Sequence, residues 1–302
     1  MASSSLRSIR EGSCLGIVAP AGPFDHEAFD RGIAWLRERY EVVYRADIYE
    51  RDGYFAGSDQ RRLEELKHSL SDPDIDAILC ARGGYGSTRL LPFLDPGEVS
   101  AAGKLLIGFS DVSALHALWR RAGVPCLHAP MVAALGNASE QIQEEWISAV
   151  ENPLQSREWK LKRLCNRSER EVSGILLGGN LAVLGALNGT EYLPSLEGAI
   201  LFLEDVGERP YRIDRMLTTL QQSGWFDEIA GVILGAFTEG APGPDGVTLE
   251  KVFQQHFGSL DLPVLTGLPV GHIDENHPLP LGVPARIEGS RLLLSPAEET
   301  GD

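Results

Sequence analysis

Five short strand-like runs recur through the first half of the chain, at residues 15–20, 41–44, 76–81, 104–108 and 125–128. Between them lie stretches with helical spacing, at 29–40, at 60–70, from the glycines at 83–86 through Leu91, and directly after Ser110. Strand and helix signals that alternate in this way predict a parallel sheet covered by helices on both faces. Ligands of such a sheet collect at the carboxyl ends of its strands, so the residues that end each run carry the most functional weight.

The alternation fades after residue 151. Residues 152–171 are polar and charged without clear periodicity, which suits a linker or crossover. From residue 172 onward the pattern is of strands at 199–203, 231–237, 285–287 and 292–294, a helix at 211–223, an apolar helix opened by Gly178-Gly179-Asn180, and a Pro/Gly-rich stretch after Val264. A chain of 302 residues suits two domains. The expected division is an α/β domain over 1–151, a linker over 152–171 and a smaller α+β domain over 172–302.

Charge and composition exclude several classes. A formal net charge of −16 argues against a nucleic-acid partner, which needs a cationic footprint. No apolar stretch approaches the ~20 residues needed to cross a bilayer, and residues 1–12 lack the apolar core of a signal peptide, so the expected location is cytoplasmic. Cys14, Cys80, Cys126 and Cys165 show no CxxC pair or metal-ligand spacing, so neither a zinc site nor a dithiol redox site is indicated; no metal and no cofactor are expected. Cys14 and Cys80, on strand-like runs, read as buried reduced thiols.

The run Lys104-Leu105-Leu106-Ile107-Gly108 is followed two residues on by Ser110, and a helical segment begins at once. A serine on a strand-to-helix turn projects its hydroxyl from the sheet edge beside the first N–H groups of the helix, as a nucleophile requires. Ser110-Asp111 also reads as a simple helix N-cap, and Ser113 stands where a G-x-S-x-G elbow has its second glycine.

Partners are sought at other strand ends. The apolar run 199–203 leads into Glu204-Asp205, where a carboxylate could orient an imidazole or merely cap a helix. Of the histidines, His26 and His68 read as solvated and His116 as a packed helix residue. His128 falls at a strand end, His256 in a helical stretch, and His272 and His277 in a loop after Gly267-Leu268-Pro269-Val270-Gly271, where a general base is reasonable. Arg82-Gly83-Gly84-Tyr85-Gly86 lacks both phosphate-loop patterns and reads as a tight turn, with a backbone oxyanion donor as an added role.

Taken together, these segments resemble the LD-carboxypeptidase family of serine peptidases, which includes microcin C immunity hydrolases. The matching stretches, in family order, are Gly16-Ile17-Val18-Ala19-Pro20-Ala21-Gly22, Ala81-Arg82-Gly83-Gly84-Tyr85-Gly86, Ile107-Gly108-Phe109-Ser110-Asp111 and Gly178-Gly179-Asn180-Leu181. Leu203-Glu204-Asp205-Val206-Gly207-Glu208, Tyr211-Arg212-Ile213-Asp214-Arg215-Met216-Leu217 and Gly267-Leu268-Pro269-Val270-Gly271-His272 follow.

The resemblance implies a flavodoxin-like parallel-sheet domain carrying the serine and a C-terminal barrel-like domain carrying the acid and the histidine, with the site forming between them. It implies Ser110 as nucleophile, His272 as general base and acid, Glu204 as the residue that orients His272, and the N–H groups of Gly84 and Asp111 as the oxyanion hole. The substrate it implies is a muropeptide whose terminal D-alanine follows an L-centre of diaminopimelate or lysine, handled by a homodimer. The other reading within the family is hydrolysis of an aminoacyl-nucleotide antibiotic, for which Trp159 or Trp225 would supply a platform. From a different class, a non-catalytic small-molecule binding protein would also suit two α/β domains. Arg82 is a candidate for the terminal carboxylate, and Asn180 for a contact in the pocket.

Overall fold

Residues 6–164 and 170–294 are described by the computed structural model. Cys165 and the middle of the polar 152–171 stretch lie outside the described residues. Residue contacts divide the chain into one unit of residues 1–153 with 275–280 and a second of 154–274 with 281–302.

The first unit is built on β1 (Cys14–Val18), β2 (Glu41–Val43), β3 (Ala77–Cys80), β4 (Leu105–Gly108) and β5 (Cys126–His128). They pair in parallel in the order β2-β1-β3-β4-β5, the doubly wound flavodoxin-like arrangement. β3 and β4 are buried at every position, as strands covered on both faces must be. Helix His26–Leu36 is capped by the Asp25 carboxylate and buries Phe29, Ile33 and Leu36, one helical stripe, in a core shared with Ile17, Leu79, Ile107 and Trp146. Between β3 and β4, the expected helix through Leu91 is replaced by two 3₁₀ turns, Ser87–Arg89 and Leu91–Phe93. Pro92 explains the break, because it lacks an N–H and disfavours helical geometry at the residue before it.

The second unit contains β6 (Arg157–Lys160), β7 (Lys162–Arg163), β8 (Val172–Asn180), β9 (Ile200–Val206), β10 (Gly231–Thr238) and β11 (Val264–Thr266). Next comes β12 (Leu279–Leu281), which is the sixth strand of the first sheet beside β5. β13 (Pro284–Glu288) and β14 (Arg291–Leu294) complete the second sheet, in the order β6-β14-β13-β8-β9-β10-β11-β7. Its centre, β8 to β11, is parallel, with antiparallel strands flanking it. β6 and β7 lie at opposite edges yet are separated in the chain only by Leu161, so the sheet must curl back on itself into a barrel-like form. Both strands fall in the stretch that reads as a linker in the sequence.

Strand β9 continues beyond residue 203, so Glu204 and Asp205 lie inside it rather than past its end. Its neighbour β10 runs on with it to Thr238 through a register shift between Leu234 and Phe237. No helix among the described residues is long and apolar enough to cross a membrane.

Candidate active site

Strand β4 ends at Gly108, Phe109 is extended, and Ser110 then adopts φ +65° before a 3₁₀ turn, Ser110–Val112, leads into helix Ser113–Arg121. Only Ser110 and Glu239 have positive φ among the described non-glycine residues. A side chain held in that region costs ~1–3 kcal/mol and persists only where the surroundings impose it. The result is a sharp strand-to-helix elbow with a serine at its apex.

The glycine-rich turn after β3 packs directly against that serine. A β-carbon at Gly83 would stand 2.8 Å from Ser110 Cβ and 2.9 Å from its Oγ, so any side chain there would collide with the hydroxyl. The Gly22 N–H donates to the Gly83 carbonyl at 3.0 Å. Since a trans peptide places C=O and N–H on opposite edges, the Gly84 N–H points the other way, away from the Gly22 N–H. Asp111, 2% exposed, accepts the Ser87 N–H at 2.7 Å through Oδ2, and burial raises the pKa of its carboxyl. Arg82 donates through Nη1 to the Pro23 carbonyl at 2.6 Å, and lines a cavity of about 690 Å³ with Phe109, Met131, Asp25 and Arg51.

Two buried histidines lie behind the elbow. His128 ends β5 opposite Gly108, with its ring 5.4 Å from that of Phe109. His116, on the helix that follows Ser110, has its pKa pushed down to about 3, chiefly by burial and further by His128. Its sequence reading as a packed helix residue agrees with this burial.

In the second unit, Glu204 and His272 meet. His272 Nδ1 lies 2.8 Å from Glu204 Oε2; the carboxylate is fully buried and the ring partly exposed. A carboxylate only accepts, so the contact places the proton on Nδ1 and leaves Nε2 as the basic nitrogen. Gly271 makes the approach possible: with φ +134°, its β-carbon would lie 2.9 Å from Glu204 Oε2. The His272 carbonyl is held by Thr238 Oγ1 at 3.1 Å.

Three acids near this strand end were open to choice in the sequence, and their contacts separate them. Asp205 faces the other side of β9, as strand alternation requires, and accepts from Asn180 Nδ2, the Ala182 N–H and the Val206 N–H. Burial raises its pKa to about 6, with the charge of Glu204 adding to the shift. Glu208 instead accepts from Arg212. Only Glu204 of the three contacts an imidazole in these hydrogen bonds.

The model for the LD-carboxypeptidase N-terminal domain matches residues 15–129, and that for the LD-carboxypeptidase C-terminal domain matches residues 173–287. The chain belongs to the LD-carboxypeptidase family. It is 36% identical over 290 residues to the murein tetrapeptide carboxypeptidase of Pseudomonas aeruginosa, covering 92% of this chain and 94% of that one. The crystal structure of muramoyltetrapeptide carboxypeptidase from Oxalobacter formigenes superposes with a TM-score of 0.84 at 31% identity, covering 94% of this chain and all of that chain. The microcin C7 self-immunity protein of Escherichia coli is 28% identical over 313 residues, covering 93% and 91% of the two chains. The chain is accordingly an enzyme, a serine-type carboxypeptidase.

Within this LD-carboxypeptidase, other residues singled out in the sequence have defined places. Asn180 accepts the Val183 N–H and donates to Asp205, so its amide starts helix Leu181–Leu187. Trp225 is buried in the core of the second unit and donates to Asn188, which removes it as a platform for a base. Trp159 is half-buried on β6. Sequence reasoning read the glycine-rich turn as permitting close approach, which Gly83 shows, but missed the carboxylate of Asp111 and its bond to Ser87.

Proposed function

We propose that this LD-carboxypeptidase releases the terminal D-alanine from a murein tetrapeptide, with Ser110 as nucleophile, His272 as general base and acid, and Glu204 orienting His272. Ser110 Oγ attacks the carbonyl of the L-centre while His272 Nε2 takes its proton. The N–H groups of Gly84 and Asp111 hold the oxyanion, and His272 returns the proton to the departing amine of D-alanine. Water then cleaves the acyl-enzyme by the same steps with His272 again as base.

The observation that carries this reading is the left-handed backbone of Ser110 at a strand-to-helix elbow, with Gly83 packed on its hydroxyl. The buried acid–imidazole pair supports it, since Glu204 fixes the tautomer that a base acting on serine needs. So do the names of the Pseudomonas and Oxalobacter relatives. Arg82 is the proposed partner of the terminal carboxylate, and Asn180 with Asp205 sets the turn that follows β8. The same reading places the enzyme in the cytoplasm, in murein recycling, as a homodimer whose mass light scattering would measure.

The test is release of D-alanine from L-Ala-γ-D-Glu-mDAP-D-Ala, set beside cleavage of an aminoacyl-sulfamoyl adenosine. Turnover of the tetrapeptide alone is the expected result. Turnover of the nucleotide alone would replace the muropeptide by the substrate class suggested by the self-immunity relative.

A further inference from the structure

Beside its backbone, Asp111 brings a side chain to the elbow that the proposed reaction does not use. The carboxylate is 2% exposed, sits one residue after the proposed nucleophile, and points at the glycine-rich turn. Its Oδ2 accepts the Ser87 N–H at 2.7 Å, and the Gly86 N–H also stabilises the charged form. A carboxylate in such a place suffers desolvation, which raises its pKa, and it stays buried only because N–H donors and a cation compensate.

The cation is Arg62. Its side chain is fully buried, donates to the Pro20 carbonyl at the end of β1, pairs with Asp59, and lies 4.7 Å over the Phe55 ring. It also packs on the turn itself: a β-carbon at Gly86, where φ is +140°, would collide with Arg62 Nη1. Burial lowers the Arg62 pKa and raises that of Asp111; the nearest carboxylate to Arg62 is Asp59, and attraction between Arg62 and Asp111 opposes both shifts in part. The turn is therefore gripped from both ends. Gly22 holds the Gly83 carbonyl, Asp111 holds the Ser87 N–H, and Arg62 packs on Gly86.

We propose that the Asp111 carboxylate, backed by Arg62, is a positioning residue that locks the 83–87 turn to the serine elbow and so presets the Gly84 N–H as an oxyanion donor. The inference rests on the hydrolase reading given above and adds to it. A turn of glycines has many accessible conformations, and an N–H donor aids the transition state only when its direction is fixed beforehand. One side chain one residue from the nucleophile, hydrogen-bonded to the far end of the donor loop, couples the two directly.

The variants are Asp111→Asn and Asp111→Ala, assayed on the tetrapeptide well below their melting temperatures. Losing an oxyanion donor costs about 10²–10³ in kcat, so Asp111→Ala should fall by about 100-fold with KM within about threefold of the parent. Asp111→Asn keeps an oxygen acceptor but loses the charge opposite Arg62, and should recover to about a 10-fold deficit in kcat. Binding of the tetrapeptide to Ser110→Ala protein should be unchanged when Asp111→Asn is added. Full kcat in Asp111→Asn, or a loss carried by KM, would overturn the proposal; this variant decides the matter if Asp111→Ala does not fold.

Hydrogen exchange separates the proposal from the hydrolase reading. The Ser87 amide, which donates to the Asp111 carboxylate, should be protected in the parent chain and exchange about tenfold faster or more in Asp111→Asn, whether or not the tetrapeptide is a substrate. Equal exchange in the two proteins sinks the lock. If the parent hydrolyses neither the tetrapeptide nor the aminoacyl-sulfamoyl adenosine, the hydrolase reading fails, and exchange alone then judges the lock.

Discussion

Glu204 Oε2 and His272 Nδ1 are 2.8 Å apart, a carboxylate with no exposure against a ring that is 21% exposed. The acid is thus sealed from water while the imidazole reaches it. Replacing Glu204 by Gln keeps the shape and reverses the chemistry, because an amide can donate its N–H to Nδ1 and move the ring proton to Nε2. Glu204→Gln should retain its fold and lower kcat by about 10⁴, the size of a wrong-tautomer loss in this type of triad. Activity within tenfold of the parent would remove Glu204 from the mechanism.

Ser110, the proposed nucleophile, carries a conformational cost. Ser110→Ala should abolish turnover and leave the melting temperature nearly unchanged, since alanine meets the same penalty at φ +65°. Ser110→Gly should also be inactive but gain about 1 kcal/mol, because glycine adopts this backbone without strain. Thermal unfolding of the pair checks the point; equal melting temperatures would show that the elbow is not strained.

Gly83→Ala places a methyl group 2.8 Å from Ser110 Cβ. Neither neighbour can yield easily, since the turn is tied to Gly22 and the serine to its elbow. The expected outcome is a fall in kcat of about 100-fold or more, as a displaced near-attack geometry produces. Circular dichroism on the same sample should show the secondary structure intact.

His116 makes the fold sensitive to acid. Its folded pKa is lowered to about 3 from an ordinary value of 6.5, by burial and by His128 nearby. A lowered folded pKa means that this stability is whole above the unfolded value and is lost as pH falls toward the folded one. Stability should therefore decline progressively as pH falls from about 6.5 toward about 3. His116→Leu, which cannot titrate, should flatten that part of a urea-midpoint profile. An unchanged acid slope would assign the effect to other groups.

Much of the first unit was legible because buried parallel strands are continuous apolar runs and their turns carry glycine. Residues 76–81 and 104–108 contain β3 and β4, residues 15–20 cover all of β1 but Cys14, and the glycine turn and Ser110 follow the carboxyl ends of β3 and β4. The second unit was less legible. β6 and β7 are short edge strands rich in charge, and their polarity looks like a linker until the sheet that they close is known. At the site, the sequence placed an acid near residue 204, but periodicity could not say which. Glu204 and Asp205 point to opposite faces of one strand, and only the packing around Gly271 shows which face the imidazole occupies. The Asp111 side chain was hidden for a related reason, since its role lies in a contact 24 residues away along the chain.

Strand β12 has a practical consequence for anyone cutting the gene. The first sheet takes its outermost member from residues beyond 275, after most of the second unit has been synthesised. A fragment stopped near residue 153 would leave β5 with a raw hydrogen-bonding edge, an invitation to self-association. Such a truncation should express as aggregate, whereas supplying the missing segment through a circularly rearranged chain should restore a well-behaved product.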